Sequence, residues 1–114
     1  MTDAEITRVI AEKIIGGFGH TPCGDYPELT TYYTNDGEPF YPLLDDADCM
    51  AAWDRFSEDK WTTLGAYREK GKRVWEACVI GLKSQDCEIV VEVPDRRRAM
   101  CECMVKSVMW KEPR

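Results

Sequence analysis

Apolar and polar residues alternate with a helical period at the start of the chain. The positions that recur at steps of three and four residues are Ile6, Val9, Ile10, Lys13 and Ile14. Asp3 is placed to cap this segment, and Gly16-Gly17 is placed to end it. The pattern predicts a short amphipathic helix.

Two further helices are predicted where an aspartate cap precedes an apolar stripe. Asp45 or Asp46 caps the first of them, which we expect to end near Glu58. Its stripe consists of Cys49, Ala52, Trp53 and Phe56. Pro94-Asp95 opens the last helix, in which the shared apolar face consists of Cys101, Met104, Val105 and Val108.

Between the helices, β-forming residues predict two hairpins. Residues 29–34 are followed by the turn signal Asn35-Asp36-Gly37, and we expect them to return through Phe40-Tyr41. Residues 73–82 and 87–93 are longer β-rich runs joined by the polar residues 83–86. We therefore expect an α+β fold of order helix, hairpin, helix, hairpin, helix, with an antiparallel sheet from the two hairpins packed with three helices. Residues 1–110 would form one domain, and residues 111–114 a loose tail.

Composition favours a reduced, soluble protein. With 114 residues and 44% hydrophobic content, the chain is long enough for one domain with a substantial core. We find no signal-peptide pattern and no apolar run long enough to span a bilayer, which predicts an intracellular protein. The six cysteines include Cys49, Cys78 and Cys101 at positions suited to small core residues, so we expect thiols and not disulfides.

Charge is distributed unevenly around the net value of −6. Residues 1–59 carry 13 acidic and 3 basic side chains, whereas residues 60–114 carry 8 acidic and 12 basic ones. Carboxylates around the second helix could occupy a cationic surface that normally receives phosphates, with aromatic rings as anchors, although most such clusters are solvated surface. The predicted partner-binding residues are Asp45, Asp46, Asp48, Asp54, Glu58, Asp59, Tyr32, Tyr33 and Phe40.

The arginine triplet Arg96, Arg97 and Arg98 lies in the first turn of the last helix, where cations oppose the helix dipole. Either the triplet and the helix N-terminus hold an anion such as a nucleotide or phosphate, or Asp95 and acids from the first half of the chain neutralise it. A second basic stretch covers residues 68–73, but the acidic total disfavours direct nucleic-acid binding.

Neither a catalytic nor a metal-binding signature is visible in the sequence. His20, Cys23, Cys101 and Cys103 could supply four zinc ligands, but residues two apart on a helix point about 200° from each other. The single histidine, His20, has no nucleophile elbow or HExxH pattern around it. We therefore expect a buried Cys101, a half-exposed Cys103, no metal, no cofactor and no enzymatic activity.

Four short segments carry a resemblance to a known family: residues 11–16 (AEKIIG), Tyr41-Pro42, Ala51-Ala52-Trp53 and residues 98–102 (RAMCE). Together they resemble the phage αβα-sandwich domain family, small proteins encoded by bacteriophages and prophages. The chain departs from the family in a longer, more aromatic stretch from His20 to Pro39 and in the aspartates Asp45 and Asp46, which replace hydroxyl residues. The resemblance implies the fold and a phage origin, and it transfers no functional residue.

The leading functional hypothesis is a non-enzymatic phage accessory protein that binds and inhibits a bacterial defence component, for example a CRISPR effector. The acidic surface would dock on a nucleic-acid-binding host protein in the cytoplasm of the bacterial host cell. This step depends on the resemblance and on the size of many phage inhibitors. The alternatives are a binder that sequesters a nucleotide signal through the arginine triplet, and a phage structural or assembly domain. The sequence is also compatible with a homo-oligomer, because Trp61, Trp75 and Trp110 could lie in a core or in an interface.

Overall fold

Helices and antiparallel sheets alternate along the chain in an α+β fold. The computed structural model describes residues 2–22, 24, 29–82 and 87–109, without the side chains of residues 59, 81, 82, 87 and 88. Within these ranges the α-helices are Asp3–Ile10 (α1), Asp46–Phe56 (α2) and Arg96–Val108 (α3). One sheet pairs Phe18–His20 (β1) with Thr31–Tyr33 (β2). The other has the order Trp61–Glu69 (β3), Lys72–Leu82 (β4), Cys87–Val93 (β5).

The first helix begins at a different cap from the one predicted. Thr2, and not Asp3, is the N-cap, because its hydroxyl reaches the N–H of Glu5 at 3.2 Å. Asp3 lies in the first turn of α1, where the helix dipole favours negative charge. The helix continues as a π-helical turn, Ala11–Ile15, and ends as predicted at Gly16, whose φ is +77°.

The two-stranded sheet has a different pairing from the predicted hairpin. β2 pairs with β1, in a register that places Phe18 opposite Tyr33, and their rings stack with centroids 5.4 Å apart. The preceding Gly17 packs its backbone against the Tyr33 carbonyl so closely that a side chain would not fit. The prediction failed here because this partner strand is only three residues long and contains a glycine.

The predicted turn after β2 does form, but the returning strand does not. The N–H of Gly37, at a φ of +83°, donates to the carbonyl of Thr34 at 2.9 Å. The return is limited to one bridge between Tyr33 and Pro39, with two flanking hydrogen bonds, from the Phe40 N–H to Tyr32 and from the Thr34 N–H to Glu38. Beyond this bridge, the described residues 40–45 form no strand.

The three-stranded sheet confirms one predicted hairpin and adds a strand. β4 and β5 pair antiparallel as expected, while their connection, residues 83–86, lies outside the described residues. The strand β3 was not predicted, and it pairs with β4 from Trp61–Ile80 to Glu69–Lys72. A two-residue turn joins them, with φ of +52° at Lys70 and +78° at Gly71. The left-handed conformation costs a residue such as Lys70 about 1–2 kcal/mol.

The core surrounds α3, which packs against α1, α2, β4 and β5. Its buried residues are Ala99, Met100, Cys101, Cys103, Met104, Val105 and Ser107. The α2 stripe is buried as predicted, and the sheet contributes Ala77, Val79 and Val91. The expectation of a half-exposed Cys103 is wrong, because α3 is enclosed on more than one side. Val108, predicted on the apolar face, is partly exposed at the end of the helix.

Among the described residues, we find no helix of the length and apolar character that crossing a bilayer would require. The predicted tail at residues 111–114 lies outside the described ranges, as do Cys23 and Trp110.

Replacing Gly17 by alanine tests the close approach of this residue to β2. We expect Gly17→Ala to lower the free energy of unfolding by about 1–3 kcal/mol, because the new methyl group meets the Tyr33 backbone. The matched control is Gly65→Ala in β3, where the added methyl group meets open space and should be neutral or slightly stabilising. Urea unfolding of both variants gives the comparison, and equal stabilities would contradict the β1–β2 pairing.

Candidate interaction surfaces

The helices α2 and α3 both begin with an aspartate cap. The Asp45 carboxylate accepts the N–H of Asp48 at 3.1 Å, and the Asp95 carboxylate accepts the N–H of Arg97 at 2.9 Å. Both caps confirm the sequence prediction, since a carboxylate satisfies N–H groups that have no partner within the helix. The carboxylate of Asp45, one of the predicted partner-binding residues, is therefore used to cap α2.

Asp46 joins the start of α2 to the start of α3. Its Oδ1 atom lies 2.7 Å from a guanidinium nitrogen of Arg96 and 3.1 Å from one of Arg97. The hydrogen bond from Arg96 is the main reason that the pKa of Asp46 lies below its ordinary value, and the charges of both arginines act in the same direction. Asp46 is therefore paired with the first two arginines and offsets one of their two charges.

Arg98 is paired with acids as well. Its guanidinium lies 2.5 Å from Asp3 in α1 and 3.3 Å from Glu102 one turn further along α3. These carboxylates, Asp3 first, raise the pKa of the Arg98 guanidinium. Asp46 and Asp3 from the first half of the chain, together with Glu102 of α3, thus pair with the triplet, which corresponds to the second of the two arrangements expected from the sequence.

The remaining predicted carboxylates differ in how they are engaged. Asp48 accepts the N–H of Tyr41 at 2.8 Å, which fixes the approach of the chain to α2. Asp54 and Glu58 are exposed on the outer side of α2 and of the turn after it. The side chain of Asp59 lies outside the described residues. Asp54 and Glu58 are therefore the carboxylates of this group that face solvent without a described internal contact.

The predicted aromatic anchors are mostly not at the surface. Phe40 is 1% exposed and belongs to the core, so its assignment to a partner surface is wrong, and Tyr32 and Tyr33 are half-buried in β2. Exposed apolar side chains lie nearby instead: Tyr41 is 47%, Leu44 77% and Met50 38% exposed.

Leu44 and Met50 were missed as surface residues by the sequence analysis. Met50 falls outside the α2 stripe and Leu44 precedes the cap, so their exposure could have been inferred from the helix period. We call Tyr41, Leu44, Met50, Asp54 and Glu58 the α2 surface.

Cys49, Cys101 and Cys103 are buried thiols that pack in the core. The Cys49 thiol contacts the sulfur of Met100 at 3.8 Å, and its pKa is lowered mainly by a hydrogen bond with Cys101, whose own pKa is raised. Burial raises the pKa of Cys103 to about 12, so this thiol stays protonated at neutral pH. His20 is exposed in β1, and in the described part of the chain no cluster of three metal-ligating side chains occurs.

A cavity of about 190 Å³ lies beside the α2 surface, between the start of α1, β2 and the chain that leads into α2. Its lining includes Thr7, Tyr32, Tyr41, Leu43 and Leu44 and is mainly apolar. Among the described residues that line it, Asp3 alone is charged, so the cavity adds mainly apolar depth to the α2 surface.

No protein family, curated protein or solved structure gives a match to this chain. The resemblance to the phage αβα-sandwich domain family therefore stays a prediction.

Neutralising Asp46 tests the link between the two helix starts. The pKa of Asp46 is lowered in the folded protein, so its stabilising contribution is complete above the ordinary aspartate value of 3.8 and is lost as pH falls below it. We expect Asp46→Asn to lower the Tm at about pH 6.5, with the difference from the wild type shrinking at about pH 2.5. The exposed Asp54→Asn is the control and should follow the wild type at both pH values. A deficit of Asp46→Asn that is the same at both pH values would contradict the ion pairs.

Proposed function

We propose that this chain is a non-enzymatic phage accessory protein that binds and inhibits a bacterial defence component, and that it docks through the α2 surface. The observation that carries the proposal is a set of exposed apolar side chains, Tyr41 and Leu44 before α2 and Met50 in it. The exposed carboxylates Asp54 and Glu58 follow Met50 at steps of four residues. Apolar side chains bordered by charge are the composition of a protein-binding site.

The two parts of the α2 surface have different tasks in this proposal. Leu44, at 77% exposure, and Tyr41 lose contact with water on docking and supply most of the affinity. Asp54 and Glu58 steer the chain toward a cationic groove and compete there with phosphates. Asp46 is excluded from this task because Arg96 and Arg97 already bind it.

Three parts of the proposal rest on the resemblance to the phage αβα-sandwich domain family. They are the phage origin, the location in the cytoplasm of the bacterial host, and the choice of a nucleic-acid-binding defence protein as the partner. The nucleotide-binding alternative has less support, because a phosphate at Arg96 or Arg98 would have to displace the carboxylates of Asp46 or Asp3. An assembly domain is favoured by no particular observation.

Reversing the charge of the α2 surface tests the proposal. Tagged wild type, Asp54→Lys with Glu58→Lys, and Leu44→Ser would each be used to capture proteins from a lysate of the bacterial host. We expect one host protein to be retained by the wild type and lost with both variants, since the first repels a cationic groove and the second removes the most exposed apolar anchor. That host protein should lose its nucleic-acid binding when one equivalent of the wild type is added.

The matched control is Glu12→Lys with Glu38→Lys, which changes the net charge equally at exposed positions outside α2. It should retain the partner. Capture that does not depend on Asp54, Glu58 or Leu44, or a captured protein that still binds nucleic acid in the complex, would contradict the proposal.

A further inference from the structure

The distal parts of β3 and β4 form an exposed ribbon, which we call the β3–β4 arm (residues 65–73). Every residue from Gly65 to Arg73 is exposed, and β3 forms its extensive contacts with β4 alone. The tight turn at Lys70 and Gly71 closes the ribbon, and the antiparallel ladder continues to the pair Glu69–Lys72. The arm is therefore a regular two-stranded hairpin that stands clear of the core.

The arm carries a dense positive charge. Four of its side chains are cationic, Arg68, Lys70, Lys72 and Arg73, against the single acid Glu69. Arg68, Lys70 and Lys72 form no ion pair with any residue in the described part of the chain. This separates the arm from the arginine triplet of α3, whose charges are matched by carboxylates.

Two of these cations are arranged unfavourably for the free protein. Arg68 and Arg73 are direct cross-strand partners, and like charges in that position repel each other. The guanidinium of Arg73 lies 6.0 Å from the ring centre of Trp75, which holds the charge on the same side of the ribbon. Glu69, Glu76 and Glu92 lie on the opposite face by strand alternation, and Lys72 lies there too, directly across from Glu69. The arginine face therefore carries Arg68 and Arg73 without an acid among the described residues of the arm.

We propose that the β3–β4 arm binds duplex DNA, with Arg68 and Arg73 on phosphates and Lys70 at the tip of the ribbon. A two-stranded ribbon fits the major groove of B-form DNA. Cations alone are enough to bind phosphates, so no apolar anchor is needed. Beside its cations the arginine face carries Ala66 and, at the base of the arm, the half-buried Trp75. The guanidinium groups of Arg73 and Arg96 already lie over the Trp75 ring, so the face offers little free apolar surface to an acidic protein partner. Screening within about 8 Å at physiological salt lets this local charge outweigh the acidic total. The inference does not depend on the α2 surface.

Fluorescence anisotropy with a labelled duplex of random sequence tests the inference. We expect saturable binding at low salt and a slope of log K against log salt between about −2 and −4, since each neutralised phosphate contributes about −0.9. Arg68→Ser with Arg73→Ser should weaken binding at least about tenfold and make the slope less steep by about 2. Lys70→Asn removes the tip charge and suits the left-handed turn, so it should fold normally and change the slope by about 1.

The matched control is Lys13→Ser with Lys106→Ser, which removes two exposed cations elsewhere and should bind like the wild type. The charge-conserving Arg68→Lys with Arg73→Lys should retain the salt slope. The inference would be overturned if the control variant lost as much DNA affinity as the arginine variant. It would also be overturned if the protein bound A-form RNA of the same sequence at least as tightly as DNA, or if it bound polyglutamate and not DNA.

Discussion

The enclosure of α3 between α1, α2 and the three-stranded sheet is the constraint on which the rest of the structure depends. Met100 and Met104 are fully buried, and truncating a buried side chain of this size costs about 2–5 kcal/mol. Partly exposed ion pairs contribute much less than such packing. Packing therefore decides where α3 lies, and the ion pairs of its first turn adjust the charge at a position that packing has already fixed.

The fixed position of α3 determines which charged residues form ion pairs within the molecule and which stay free to contact a partner. The start of α3 lies next to the starts of α2 and α1, so Asp46 and Asp3, together with Glu102 of α3, pair with the arginine triplet. The apparent dipole of the sequence, acidic in the first half and basic in the second, is thus partly cancelled inside one molecule. Asp54 and Glu58 on the α2 surface and Arg68 and Arg73 on the β3–β4 arm form no ion pair with another described residue. These two surfaces of opposite charge are the places from which we infer function.

Local patterns predicted the elements whose burial is periodic. The stripe of α2, the cap at Asp45 and the alternation of Ile89, Val91 and Val93 are all found in the structure. β3 was missed because most of its residues are exposed and Gly65 interrupts the β-forming run, so no buried face marks it. The pairing of Asp46 with Arg96 joins residues far apart in the sequence. The sequence allowed us to expect that acids would neutralise the arginine triplet. Which acid pairs with which arginine depends on tertiary packing.

A double-mutant cycle between Asp46 and Arg96 tests most directly the claim that the two helix starts neutralise each other. The Tm values of Asp46→Asn, Arg96→Gln and the double variant would be compared with that of the wild type. We predict that the double variant loses less than the sum of the two single losses, since either substitution alone already breaks the 2.7 Å ion pair. Strictly additive changes would contradict the claim and would leave the arginine triplet available for an anion.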